Sequence, residues 1–267
     1  MDMNLFYGLK YNPFSKGSDN CILETIDYKE MRGRLEYLCE TKGIGVFTGP
    51  PGVGKTFNLR MFCSSLHPSL YQVVYMPLST LTTVQFYRYL AKSLGLEEKS
   101  NKMENFLSIQ EYLKRMNTEK RVLPVIILDE AQYLRSEILN DIKLLFNFDM
   151  DSKNYCVLIL AGLPALTNTL RYNSYEAIRQ RITIQYQIAG IEHSEIREYV
   201  ETKLEAAGLT VPLFSDDALN ALSNGCQGSM RKLNNLLTQC LIIGASMKVR
   251  DINNEIVMQA STEVELQ

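Results

Sequence analysis

The chain has 267 residues, an apolar fraction of 46% and only 15 Gly and 8 Pro, which excludes a disordered polymer and allows one large domain or a core with a smaller appendage. Lys and Arg number 28 against 30 Asp and Glu, and a formal charge of -2 excludes the strong global positive field of small nucleic-acid-binding domains while permitting a local basic face on an assembled ring. Six widely spaced cysteines without a CxxC pair, and only two histidines, His67 and His193, exclude a zinc site or a disulfide scaffold and read as reduced, packed thiols.

The opening segment, MDMNLFYGLKYNPF, has neither a basic n-region nor an apolar h-region. No uninterrupted apolar run approaches the roughly 18 residues that span a bilayer, so no membrane partner is expected and the cytoplasm is the expected location. Met31, Leu35 and Leu38 share one face among Lys, Arg and Glu, which predicts a helix over 27–42. The apolar stretch 43–48 reads as a short strand that runs straight into Gly49-Pro50-Pro51-Gly52-Val53-Gly54-Lys55-Thr56, a complete Walker A phosphate loop, with a helix expected behind it over 55–66.

Strand and helix then alternate. A strand is expected over 71–76, a helix over 82–94, a surface loop over 95–102 and a helix over 103–117. The nearly all-apolar 122–128 suits a strand covered on both faces. A helix over 136–148, a loop over 149–154, a strand over 155–160 and a last strand over 181–186 complete the pattern. Strands separated by helices of this length imply a parallel sheet, five-stranded here and covered on both faces. After Ala189-Gly190 no strong strand remains, and amphipathic helices are expected near 192–207, 215–223, 229–243 and 251–260. The expected division is therefore a core with an N-terminal extension over 1–188 and a small all-helical lid over 189–267.

The loop's residue types match its chemistry. Glycines at 49, 52 and 54 let the backbone turn tightly and approach phosphates, and the main-chain N–H groups from Gly52 onward and the following helix N-terminus favour an anion. Pro50, Pro51 and Val53 complete the loop, Lys55 should reach the β and γ phosphates, and the Thr56 hydroxyl should ligate Mg²⁺. The strand Val125-Ile126-Ile127-Leu128 ends in Asp129-Glu130, at the carboxyl edge where open α/β sheets bind ligands. Asp129 would hold Mg²⁺ and Glu130 would polarise an attacking water, so two adjacent carboxylates argue for hydrolysis as well as binding. No Asn/Thr-Lys-x-Asp loop follows, which favours ATP over a guanine nucleotide.

Together with these motifs, the stretch Ala177-Ile178-Arg179-Gln180-Arg181-Ile182 and Gly228-Ser229-Met230-Arg231 resemble an AAA+ ATPase, a P-loop NTPase. Phe6-Tyr7-Gly8-Leu9, Asn12-Pro13-Phe14, Asp129-Glu130-Ala131-Gln132 and Ala161-Gly162-Leu163-Pro164-Ala165-Leu166 narrow the resemblance to the ExeA-like group, similar to the target-selecting ATPases of Mu-like and Tn7-like transposons. It covers essentially the whole chain. The resemblance implies that Arg181 is a finger arginine acting in trans on a neighbour's ATP, with Arg179 as the alternative, and that Arg231 is a sensor 2 arginine touching the nucleotide. It also implies self-assembly into a hexameric or heptameric ring or a helical filament, double-stranded DNA as a partner with Thr82, Thr83 and Lys102 as contacts, and a transposase or target-selection adaptor.

Many AAA+ proteins carry a polar sensor 1 side chain where this chain has Ala161-Gly162. That departure points to slow hydrolysis serving as a timer. The alternatives are an ExeA-like secretion or assembly ATPase, whose expected membrane span and peptidoglycan-binding extension are not seen in this sequence, and a nucleotide-dependent scaffold that binds no DNA.

Overall fold

The computed structural model describes residues 3–17, 21–77 and 80–265. In chain order the first elements are α1 (Met3–Tyr7), α2 (Ile26–Thr41), β1 (Gly43–Thr48), α3 (Lys55–Ser65), β2 (Tyr71–Met76), α4 (Thr83–Ser93), α5 (Lys102–Thr118) and β3 (Leu123–Leu128). There follow α6 (Ser136–Leu145), β4 (Val157–Gly162), α7 (Pro164–Leu170), α8 (Glu176–Arg179) and β5 (Ile182–Gln187). The last are α9 (His193–Ala206), α10 (Asp216–Cys226), α11 (Met230–Met247) and α12 (Asn254–Glu265).

These elements form two compact units. One comprises Glu30–Pro50 and Lys55–Ile188; the other comprises the described part of Met1–Lys29, the loop tip Pro51–Gly54 and the described part of Ala189–Gln267. The first holds the sheet, in the order β2-β3-β4-β1-β5 with every pairing parallel. Hydropathy explains that order. β3 and β4 are buried at all six positions and β1 at five, as central strands covered on both faces must be, whereas β2 and β5 mix buried with exposed residues and form the edges. Val46, Ile126, Leu128, Leu158 and Leu160 meet Phe86, Tyr87 and Leu90 of α4 and Ile109 and Leu113 of α5 in one core.

Local chemistry moves several boundaries. β4 begins later than expected, at Val157, because the Tyr155 ring packs edge-on against Phe148; it runs on to Gly162 because Ala161 and Gly162 pair with Phe47 and Thr48. α6 stops at Leu145, since Phe146 leaves helical geometry and Phe148 is extended in an isolated bridge with Lys153. Residues 164–181 hold α7 and α8, for which no helix was expected. Pro164 opens α7, where a missing N–H costs nothing.

In the second unit, α9–α12 pack around Leu222, Leu233, Leu237, Cys240 and Leu241. The N-terminal segment, expected as an extension of the sheet core, is grouped here instead: Tyr7, Leu9 and Phe14 are buried in the helical cluster, and the Tyr7 hydroxyl donates to Val249 O at 3.2 Å. Gly244 makes room for it, since a Cβ there would stand 2.2 Å from the Tyr7 hydroxyl. The carboxylate of Asp27, 9% exposed, accepts the Gly190 N–H at 2.6 Å, and Glu195 accepts the Ile26 N–H at 2.6 Å. All six cysteines are free thiols, and burial pushes those of Cys39 and Cys240 up to about 12. Among the described residues no helix is long and apolar enough to cross a membrane.

Candidate active site

The parallel sheet brings the ends of β1, β3 and β4 to one edge, and the residues singled out at 55, 56, 129 and 130 meet there. Lys55, the first residue of α3, is 7% exposed, and its ammonium donates to Gly49 O at 2.8 Å and Pro50 O at 2.9 Å. The next residue, Thr56, donates its hydroxyl to Asp129 Oδ2 at 2.9 Å. Asp129 is 2% exposed and well provided with donors: Tyr75 OH reaches Oδ2 at 2.8 Å and the Glu130 N–H reaches Oδ1 at 2.9 Å. Such donors orient the carboxylate, and carboxylate oxygens are the ligands a hard cation takes.

Tyr75 was not anticipated. Strand alternation places it on an edge strand, but only the register of β2 with β3 brings Tyr75 alongside Ile127 and its hydroxyl to the acid two residues on. Burial, and then the bond to Asp129, hold its phenol above the usual tyrosine range.

Glu130 differs from Asp129 in every respect. It is exposed and sits in the left-handed region at φ 53°, ψ 37°, a conformation that costs a non-glycine residue on the order of 1 kcal/mol or more. Its Oε2 accepts from Gln132 Nε2 at 2.7 Å. A carboxylate displayed at the sheet edge beside a metal-binding acid has the chemistry to orient a water or accept its proton.

At the loop tip, Gly52 (φ +81°) and Gly54 (φ +99°) adopt conformations that side-chain-bearing residues resist. Gly52 is also tightly packed: a Cβ there would stand 2.4 Å from Ser229 Oγ and 3.0 Å from Arg231 Cβ. Ser229 Oγ donates to Pro51 O at 3.4 Å and Arg231 N to Gly52 O at 3.2 Å, so Arg231 touches the loop through its backbone at the start of α11. Val53 is buried.

The remaining candidates lie elsewhere. Arg181 precedes β5, at the amino edge of the sheet, where its guanidinium donates to Lys143 O at 2.6 Å and borders a cavity of about 360 Å³ lined also by Phe146, Phe148, Lys153 and Tyr155. Arg179 donates to Leu170 O and Arg171 O at 3.1 and 2.9 Å. Thr82 caps α4 in a reciprocal arrangement with Gln85, and Thr83 begins that helix. Lys102 pairs with Asp141 at 2.5 Å, Lys114 with Asp149 at 2.6 Å, and Lys99 with Glu97, so each of these lysines is matched by an acid.

The donor set fits magnesium and a triphosphate: a buried ammonium resting on two carbonyls that phosphate oxygens could replace, and a hydroxyl and carboxylate 2.9 Å apart that could share a divalent cation. Comparison with known proteins bears on the domain and the fold. Residues 38–170 match the family model of an AAA domain. General secretion pathway protein A of Aeromonas hydrophila is 28% identical over 242 residues, which are 89% of this chain and 44% of that protein, so the chain spans less than half the length of this relative. Cdc6p from Pyrobaculum aerophilum superposes with a TM-score of 0.70 at 18% identity, over 94% of this chain and 70% of that one. The Aeropyrum pernix ORC1 protein, solved in complex with DNA, gives 0.67 at 18% identity, over 95% and 69%. Likenesses at this identity establish the fold, a P-loop sheet followed by a helical subdomain.

Proposed function

We propose that this chain, an AAA+ ATPase by its domain and its fold, works as an ATP-switched oligomer on double-stranded DNA that marks target sites for a transposase. One observation carries the reading. A phosphate loop with its lysine, and a hydroxyl and acid placed to share a cation, stand on a chain that takes, over 95% of its length, the fold of a protein solved on DNA. The motifs at the N-terminus and after β4 supply the link to transposition.

In this reading Lys55 binds phosphate, Thr56 and Asp129 hold the magnesium that neutralises charge on the phosphates, and Glu130 orients the water. Arg181 completes the site of a neighbouring copy. Strand geometry favours action in trans: β5 has six residues at roughly 3.3 Å each, so about 20 Å separates Arg181 from the edge that carries Lys55, beyond the reach of its own side chain. A finger supplied by the next subunit couples turnover to assembly.

A second reading follows from the likeness to general secretion pathway protein A, in which the same switch drives an assembly step in secretion and binds no DNA. Electron microscopy of the chain with random duplex and a non-hydrolysable ATP analogue separates the two. Ordered rings or filaments enclosing DNA support the first; nucleotide-dependent oligomers that leave the duplex free overturn it and favour the second.

A further inference from the structure

We propose that Gln132 is a positioning residue for ATP hydrolysis, tethering the Glu130 carboxylate to the end of β4. The inference rests on the reading of Glu130 as the group that orients water. Its basis is a two-bond bridge: Gln132 Nε2 donates to Glu130 Oε2 at 2.7 Å, and Gln132 Oε1 accepts the Leu163 N–H at 2.9 Å. The two partners demand the same amide orientation, because a main-chain N–H needs the oxygen and a carboxylate needs the nitrogen.

Glu130 needs such a tether. Its backbone is fixed by the bond from its N–H to Asp129 Oδ1 and by the turn that Tyr133 N closes on Glu130 O at 3.0 Å, but its side chain is exposed and has rotamer freedom to lose. Half-buried Gln132 restricts it from a rigid point. That point is Leu163, one residue beyond the strand end, where Gly162 pairs with Thr48 and accepts the Gly49 N–H at 3.2 Å. The bridge therefore joins the water-orienting acid to the backbone that begins the phosphate loop.

Gly162 gives the bridge its seat. A Cβ there would stand 2.4 Å from Gln132 Oε1 and 3.3 Å from the Ala131 and Gln132 nitrogens. The strand end thus lacks a polar side chain because another residue's amide fills the space, and Gln132 supplies the polar group that Ala161-Gly162 cannot.

Four single variants of the full chain, and one double variant, test this by steady-state ATPase assay: Gln132→Ala, Gln132→Glu, Gly162→Ala and Glu130→Gln. Gln132→Glu is the most discriminating, since its carboxylate still accepts from Leu163 but cannot donate to Glu130. Both Gln132 variants and Gly162→Ala should lower kcat by about tenfold or more, with KM for ATP within about twofold of the parent. Gln132→Ala added to Glu130→Gln should slow the residual rate no further. Parent-like kcat in Gln132→Glu beside an inactive Glu130→Gln overturns the tether and leaves the Glu130 reading standing, as does a loss confined to KM or to the melting temperature. A Glu130→Gln variant that hydrolyses ATP at the parent rate overturns the Glu130 reading itself. Should Gln132→Ala fail to fold, Gln132→Glu decides.

Discussion

The acids at the carboxyl edge of the sheet and the arginines at its amino edge are held in opposite ways. At the carboxyl edge the acids accept from side chains: Thr56 and Tyr75 converge on Asp129, and Gln132 holds Glu130. At the amino edge, Arg181 and Arg179 donate to main-chain carbonyls, Arg181 near the C-terminal end of α6, where a cation is favoured by the helix dipole. The first edge is built within one chain and, in the proposed function, takes the nucleotide and metal. The second, in the proposed function, must exchange a backbone bond for a neighbour's phosphate, so its activity depends on assembly.

The largest effect should come from the carboxyl edge. Lys55→Ala removes the buried ammonium and is expected to weaken ATP binding by about a hundredfold or more, read with a fluorescent ATP analogue, and to abolish nucleotide-dependent assembly. Glu130→Gln should keep nucleotide affinity and lower kcat by roughly 10²-fold or more, with longer-lived assemblies on DNA. Should both variants turn over like the parent, the carboxyl edge would not be the active edge.

The amino edge sharpens the contrast. Arg181→Ala should leave ATP affinity of the isolated subunit unchanged and remove most of the turnover stimulated by assembly, and mixing it with Glu130→Gln should restore activity through hybrid interfaces. Arg179→Ala should cost stability through its two lost carbonyl bonds and little turnover; the reverse pattern would exchange the roles of the two arginines.

Tyr75→Phe is the mildest test. Tyr75 is 43% exposed, so loss of its bond to Asp129 should cost about 1 kcal/mol or less, a shift of a few degrees in melting temperature. Its folded pKa lies above the ordinary value of 10.0, so the folded state retains a proton that the unfolded chain releases. This stabilisation is complete below that value and fades as pH rises further. The parent should therefore lose its margin over Tyr75→Phe in alkaline melts.

Much of the sheet was legible because its signals are local and strong. β1 runs into the phosphate loop, 123–128 is apolar without interruption, and two acids follow at once. α7 and α8 were not legible: helices of seven and four residues carry too few turns to show a periodicity, and packing of Leu166, Leu170 and Ile178 into the core holds them. Gln132 stood beside the acids in plain view, yet nothing in its spacing tells that its amide reaches across to Leu163. The absence of a polar side chain at 161–162 was visible, and its physical cause was not.

By itself the sequence determined a parallel α/β core, a Walker A loop at Gly49 to Thr56 with a strand that ends in the paired acids Asp129 and Glu130, and a helical segment after Gly190. Backbone conformation and hydropathy act over a few residues, so such features are written locally. Tertiary structure alone decided that the N-terminal segment packs with the helices, that Tyr75 and Gln132 attend the two acids, that Lys102 is paired with Asp141, and that the arginines at 179 and 181 rest on carbonyls. Each of these depends on strand register or helix packing between segments far apart in the chain, and only the folded backbone brings those partners within bonding distance.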